Sequence, residues 1–286
     1  MVHPQNNSKS TPCPDHGETE MNIEAAHLIC YSPTRTTFNT LKAIADGMKL
    51  PATRSLDLTL PEQASNEEIA ILSDVAIIGV PVYAGRIAPV AATRLKSIKG
   101  HNTPAVIVVV YGNRHYDNAL AELKQLAEES DFVVVAAAAL IGEHSYSSPD
   151  KPVAAGRPDD EDKRAASAFG SKVLAKLKAA TDLSSLPVLG LPGSLPEGPY
   201  IGPANVAPET DPELCTLCGQ CAESCPTGAI TISETQTTDA SLCTFCCACL
   251  KTCPEGAIQI GFPKILEKVD LLYTNCQTRR EPEIFL

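Results

Sequence analysis

The chain has 286 residues, with 34 acidic side chains against 23 lysines and arginines, a formal net charge of −11 and a pI near 5.0. That balance argues against a nucleic-acid ligand, which calls for a basic face. No apolar run reaches the ~18 residues of a membrane span, residues 1–20 hold no hydrophobic signal core, and twelve cysteines in such a chain point to a reducing, cytoplasmic interior.

Residues 1–22 are polar and aperiodic and are expected to form a disordered tail. Cys13, His3 and His16 in it, and His27 and Cys30 just beyond it, lack metal-ligand spacing. The apolar run over residues 25–31 reads as a strand ended by Ser32-Pro33, and Phe38, Leu41, Ile44, Ala45 and Met48 recur at the spacing of a helix over 37–48. Strands are expected at 53–60, 74–80, 105–110 and 132–140, with helices at 88–97, 117–129 and 161–179. Continuous apolar strands alternating with helices need a parallel sheet covered on both faces. Residues 23–180 are therefore expected to form an open, doubly wound α/β domain with a five-stranded parallel sheet.

Ligands of such sheets sit outside the carboxyl ends of the strands, here residues 32–37, 81–86, 111–116 and 142–157. None of these loops carries Gly-x-Gly-x-x-Gly or Gly-Lys-Ser/Thr, which argues against a dinucleotide or ATP site of the usual kinds. The first loop, Ser32-Pro33-Thr34-Arg35-Thr36-Thr37, offers four hydroxyls, free N–H groups at a helix start and one guanidinium, a set that suits a phosphate monoester. His115 and His144 lie on crevice loops as candidate proton donors, and residues 143–160 are long enough for a lid. Residues 181–212 form a linker; over 187–212 it carries seven prolines and four glycines and reads as a semi-rigid, extended connector.

Then comes Cys215-x2-Cys218-x2-Cys221-x3-Cys225-Pro226, which returns 28 positions later as Cys243-x2-Cys246-x2-Cys249-x3-Cys253-Pro254. A cubane of four irons and four sulfides needs four thiolates at the corners of a tetrahedron, and in two-cluster ferredoxins the fourth cysteine of each run serves the other cluster. By that rule Cys215, Cys218, Cys221 and Cys253 hold one [4Fe-4S] cluster, and Cys243, Cys246, Cys249 and Cys225 the other. A zinc ribbon has no use for eight cysteines in two such runs. Cys247, matching Gly219 of the first run, is either a packed non-ligand thiol or the sign of a shifted ligand register. Six acids against Lys251 alone over residues 211–261 suggest steering towards a redox partner with a basic docking surface. After residues 213–262, the stretch 263–286 holds an amphipathic segment at 265–273, expected to pack back on one domain, and an isolated Cys276.

Residues 211–261 closely resemble bacterial-type 2[4Fe-4S] ferredoxins, a small α+β fold. The hydroxyl-rich loop resembles that of flavodoxins, whose first loop holds the FMN phosphate. Together, over residues 23–262, the chain resembles the bacterial flavodoxin–ferredoxin fusion family, which also carries segments like Glu143-His144-Ser145-Tyr146 and Gly156-Arg157-Pro158-Asp159. The resemblance implies that Ser32, Thr34, Arg35, Thr36 and Thr37 bind the phosphate. It implies that Pro81, Val82, Tyr83, Ala84, Gly85 and Arg86 line one side of the isoalloxazine, and Tyr111, Gly112, Asn113, Arg114, Tyr116 and Asp117 the other. The chain departs from the family in placing Arg35 where glycine is usual, a position that wants φ > 0, and in having no tryptophan to stack on a flavin. The expected function is that of an electron-transfer iron–sulfur flavoprotein joining one-electron carriers to FMN through two low-potential [4Fe-4S] clusters, with reduction of a substrate at the flavin as an extension. A pure carrier and a flavin-less docking module are the alternatives; monomer and homo-oligomer both stay open.

Overall fold

A computed structural model describes residues 21–63 and 67–286; residues 1–20 of the expected tail, with His3, Cys13 and His16, lie outside them. Four apolar runs and one polar edge segment become β1 (Ala25–Cys30), β2 (Ala52–Asp57, the polar one), β3 (Val75–Tyr83), β4 (Thr103–Tyr111) and β5 (Phe132–Ile141). They pair in parallel in the order β2-β1-β3-β4-β5. The central β3 and β4 are buried along most of their length, which is why their sequences are apolar without alternation. Helices α1 (Thr36–Met48) and α4 (Asp160–Ala179) cover one face with Leu41, Ile44, Phe169 and Val173, while α2 (Pro89–Leu95) and α3 (Ala119–Glu128) cover the other. Two glycines let α1 and α4 meet backbone to backbone: a Cβ at Gly47 would lie 1.9 Å from the Ser167 carbonyl oxygen, and one at Gly170 2.0 Å from that of Ile44. Strand order reverses between β1 and β3, so the ligand crevice of this fold lies above their carboxyl ends.

The linker does not hang free. Leu189 is buried in the core beside α3, the Ser194 N–H donates to Asn118 Oδ1 at 3.2 Å, and Arg86 Nη1 donates to the Gly198 carbonyl at 3.3 Å. It delivers the chain to the cysteine-rich module, where α5 (Gln220–Glu223) and α6 (Ala248–Thr252) repeat each other and are each entered through a left-handed residue, Gly219 (φ 84) and Cys247 (φ 61). Helix α7 (Pro263–Asn275) is the expected amphipathic segment, and its Ile265 packs against Phe245 and Cys247.

Beyond α7 the chain returns to the first domain. Residues Glu283–Phe285 add an antiparallel strand to β5, a short pairing without a signal in the sequence, so the sheet is mixed at that edge. Asn113, 3% exposed, fastens this return: its Nδ2 donates to the carbonyls of Cys276 (2.7 Å) and Thr278 (2.9 Å), and its Oδ1 accepts from Arg280 N–H (3.1 Å). Among the described residues no helix is long and apolar enough to cross a membrane.

Asn113→Ala would strand those backbone groups. At roughly 1 kcal/mol per lost hydrogen bond, with a further penalty where a partner stays buried, the variant should be about 3 kcal/mol less stable to urea and lose its last residues to carboxypeptidase. An unchanged midpoint and an intact tail would contradict this role.

Candidate functional site

The crevice holds a cavity of about 460 Å³, in the range of small-molecule and cofactor sites. Ser32, Thr34, Thr36 and Thr37 form one end of it. The Ser32 N–H donates to Thr59 Oγ1 (2.8 Å), Ser32 Oγ accepts from Phe38 N–H (3.1 Å), and the Thr34 and Thr36 hydroxyls are 3.0 Å apart. Arg35 does adopt the positive φ of its position, 63°, but its guanidinium lies over the Phe38 ring and pairs with Asp57 at 2.5 Å, so it is not part of the cavity lining.

Pro81, Val82, Tyr83 and Ala84 form one wall, and Tyr111, Gly112 and Arg114 another. Gly85, Arg86, Asn113, Tyr116 and Asp117, expected in the same walls, stand behind them. Arg86 is paired with Glu122 at 2.6 Å, the Tyr116 hydroxyl donates to Glu283 at 2.8 Å, Asp117 is paired with Arg114, and a Cβ on Gly85 would lie 2.2 Å from Asp117 Oδ2. His144 lines the cavity, whereas His115 stacks on Tyr116 outside it. Burial lowers the His144 pKa to about 4, and its Nδ1 accepts from Tyr146 N–H at 3.0 Å. The neutral ring therefore carries its proton on Nε2. Gly112 is required beside it, since a Cβ there would lie 2.4 Å from the imidazole Cδ2.

The remaining walls come from segments that sequence reasoning did not assign to the site. Tyr200 and Pro203 belong to the linker, Lys268, Leu272 and Asn275 to α7, and Thr244 and Phe245 to the cysteine-rich module. Residues 201–202 and 271, 276 complete this cover. Nothing local marks them, because they reach the crevice only through the packing of the two halves. The halves are also tied by Lys251 Nζ, which donates to Glu143 Oε1 (2.6 Å) and the Ser147 carbonyl (2.8 Å).

The eight cysteines surround two small cavities. Cys215, Cys218, Cys221 and Cys253 line one, with Cys218 exposed; Cys225, Cys243, Cys246 and Cys249 line the other. The fourth cysteine of each run thus lies with the first three of the other run. Among the described residues no three His, Cys, Asp or Glu side chains are grouped as one metal ion would require. Backbone N–H groups point at the sulfurs: Ala229 to Cys225 (3.3 Å), Phe245 to Cys243 (3.4 Å) and Ala257 to Cys253 (3.3 Å). Cys247 borders the second cavity too, but its thiol donates to the Phe245 carbonyl at 3.6 Å and packs near Ile265 and Tyr146. Thr244 borders both this cavity and the large one, and its Oγ1, like the Tyr31 hydroxyl it approaches, is buried without a well-formed hydrogen bond.

Residues 208–231 and 237–259 match the model of the 4Fe-4S binding domain family. No curated protein matches the chain significantly. Solved structures similar to its first part include a flavodoxin from the domain Archaea (11% identity, 54% of this chain, 99% of that chain, TM-score 0.34). Others are a flavodoxin, WrbA-like protein from Agrobacterium tumefaciens (14% identity, 54% and 97%, TM-score 0.35) and the Flv1 flavodiiron core from Synechocystis (15% identity, 54% and 36%, TM-score 0.37). The chain spans about a third of that last protein. Strand order, rather than these scores, makes the first domain flavodoxin-like, and the chain joins it to a ferredoxin-type 4Fe-4S domain.

A histidine held neutral in the fold, with a pKa near 4 against 6.5 in the unfolded chain, makes the unfolded state the better proton binder between those values. His144 should therefore contribute stability that is complete above about pH 6.5 and lost as pH falls towards 4. His144→Gln should flatten that part of the stability profile, and the wild-type imidazole should show no protonation by NMR between about pH 5 and 8.

Proposed function

We propose that the protein is an electron-transfer iron–sulfur flavoprotein with FMN in the large cavity and one [4Fe-4S] cluster in each thiol cavity. One observation carries this reading: Thr244 and Phe245 wall the large cavity, while Cys243 and Cys246 on either side of them line a thiol cavity. The donor sets fit the groups. Hydroxyls and the backbone N–H groups at the start of α1 suit a phosphate, Tyr83, Tyr146 and Phe245 supply flat apolar surface and exclude water, and His144 presents a neutral N–H donor. Bound FMN would supply a centre that holds one or two electrons, and the clusters would supply single-electron steps.

The second thiol cavity, next to the crevice, is the inner site, and the one with Cys218 exposed is the outer site. Around the outer site Leu214 and Leu217 are 51% and 38% exposed. The chain has no lysine or arginine between Lys178 and Lys251. An apolar centre in an acidic field suits brief docking of a basic one-electron carrier protein. Because the linker, Phe245 and α7 cover the crevice, a carrier role is favoured over turnover of an organic substrate at the flavin.

Anaerobic reconstitution followed by iron and flavin analysis tests this, with about eight irons and about one FMN expected per chain. Cys221→Ser should halve the iron and spare the flavin. Ser32→Ala combined with Thr36→Ala should weaken FMN retention by at least about tenfold, as expected for hydrogen bonds to a charged group, and spare the iron. Parallel loss of iron and flavin in both variants would show that the sites are not separate as drawn.

A further inference from the structure

The internal duplication lets one thiol site serve as the control for the other. Over positions 211–228 and their counterparts 239–256, charge differs at three matched pairs. Glu213 corresponds to Ser241, Glu223 to Lys251, and Thr227 to Glu255. Because the runs cross after their third cysteine, Thr227 follows Cys225 at the inner site and Glu255 borders the outer cavity. Glu255 borders the outer cavity where Thr227 borders the inner one, Glu213 and Glu223 lie in the run that supplies three of the outer cysteines, and Lys251, matched to Glu223, is paired with Glu143. Of the charged positions, only Asp211 and Asp239 carry the same charge in both runs.

The flavodoxin-like domain adds to this bias. Arg94 of α2 donates from Nη2 to the carbonyl of Pro226 (2.7 Å), which borders the inner cavity, and from Nη1 to the carbonyls of Leu58 (2.8 Å) and Thr59 (2.5 Å). No carboxylate lies within ion-pair distance of this half-buried guanidinium among the described residues, and Glu62 acts on it only at longer range. A half-buried cation is costly unless an anion is near, and a cubane held by four thiolates is an anion. Thr59 in turn accepts from the Ser32 N–H at the phosphate end of the crevice, so one side chain is linked to both the inner site and the flavin loop. Sulfur hydrogen bonding leans the same way, against the effect of exposure. Cys218 of the outer site is exposed, whereas the inner site has two backbone N–H donors to its sulfurs, on Cys225 and Cys243, against one on Cys253. Nearby positive charge and hydrogen bonds to sulfur favour the reduced, more negative cluster, whereas burial by itself opposes added negative charge, so the order of the two sites rests on the first two.

Resting on the two-cluster reading above, we infer that the inner site is the higher-potential of the two and that Arg94 is the residue that sets this order, so that an electron donated by a reduced one-electron carrier protein at the outer site runs inward to the flavin cavity. Each transfer oxidises the outer site by one electron, reduces the inner by one, and moves no proton.

The test is a redox titration of the reconstituted full-length protein followed by electron paramagnetic resonance, after an iron assay has established two clusters. Arg94→Gln should lower the higher couple by the equivalent of at least a tenfold change in the one-electron equilibrium, about 59 mV, and leave the lower couple in place. Arg94→Lys, which keeps the charge, should restore most of that shift. Glu255→Gln, a substitution at an exposed position, should raise the lower couple only. If the Arg94 variants lose iron, Glu255→Gln decides alone. A shift of the higher couple, or of neither, overturns the inferred order. An iron content of one cluster per chain overturns instead the reading beneath it, and the assay tells the two failures apart.

Discussion

Two residues separate Cys243 from Cys246, and that short span must serve two cavities at once. Its ends line the inner thiol site, while Thr244 and Phe245 wall the crevice of the α/β domain. A chain advances at most ~3.6 Å per residue, so covalent geometry alone keeps the crevice wall within about 11 Å of those sulfurs whatever else moves. No docking equilibrium between separate proteins could hold two such cavities so close all the time. Much of the remaining architecture keeps this loop in place: Ile265 of α7 packs beneath it, Tyr146 meets the Phe245 ring edge-on at 5.7 Å, and Lys251 ties the following helix to Glu143.

The covering of the crevice is secured from a distance. The Arg157–Asp162 pair is almost fully buried, with side chains 6% and 5% exposed, and Arg157 Nη1 also donates to the Arg280 carbonyl at 2.8 Å. Buried pairs of this kind contribute more to fixing a geometry than to net stability. Here the geometry fixed is the path of the chain after α7, and hence the position of the helix that covers the crevice. Arg279 joins the same network through Asp159 at 2.7 Å.

The α/β domain could be read almost element by element because buried parallel strands have to be apolar throughout, and the cysteine runs because cage chemistry leaves so little freedom in spacing. Which loop residues face the ligand could not be read. Arg35 and Thr36 are neighbours in one hydroxyl-rich turn, yet the positive φ at Arg35 sends its side chain to Asp57 while Thr36 enters the cavity. Likewise Arg86 and Asp117 are spent on Glu122 and Arg114, partners brought to them by α3 and by their own turn. Phe245 and the α7 residues were missed for another reason. Their role depends on contacts between segments far apart in the chain, and long-range packing leaves no periodic trace. The strand at Glu283–Phe285 is too short to show alternation.

That terminal strand has a further consequence. The β5 sequence, FVVVAAAALI, is uncharged and rich in β-formers, and an open edge of that kind invites pairing with other chains and aggregation. Residues Glu283–Phe285 pair with Ala137–Ala139 and so cover the middle of this edge, and at the opposite border of the sheet β2 turns outward Thr53, Arg54 and Ser55, which are exposed and polar. Loss of this short strand would bare an uncharged strand edge and, with it, the segment that Asn113 and Arg157 fasten beyond α7.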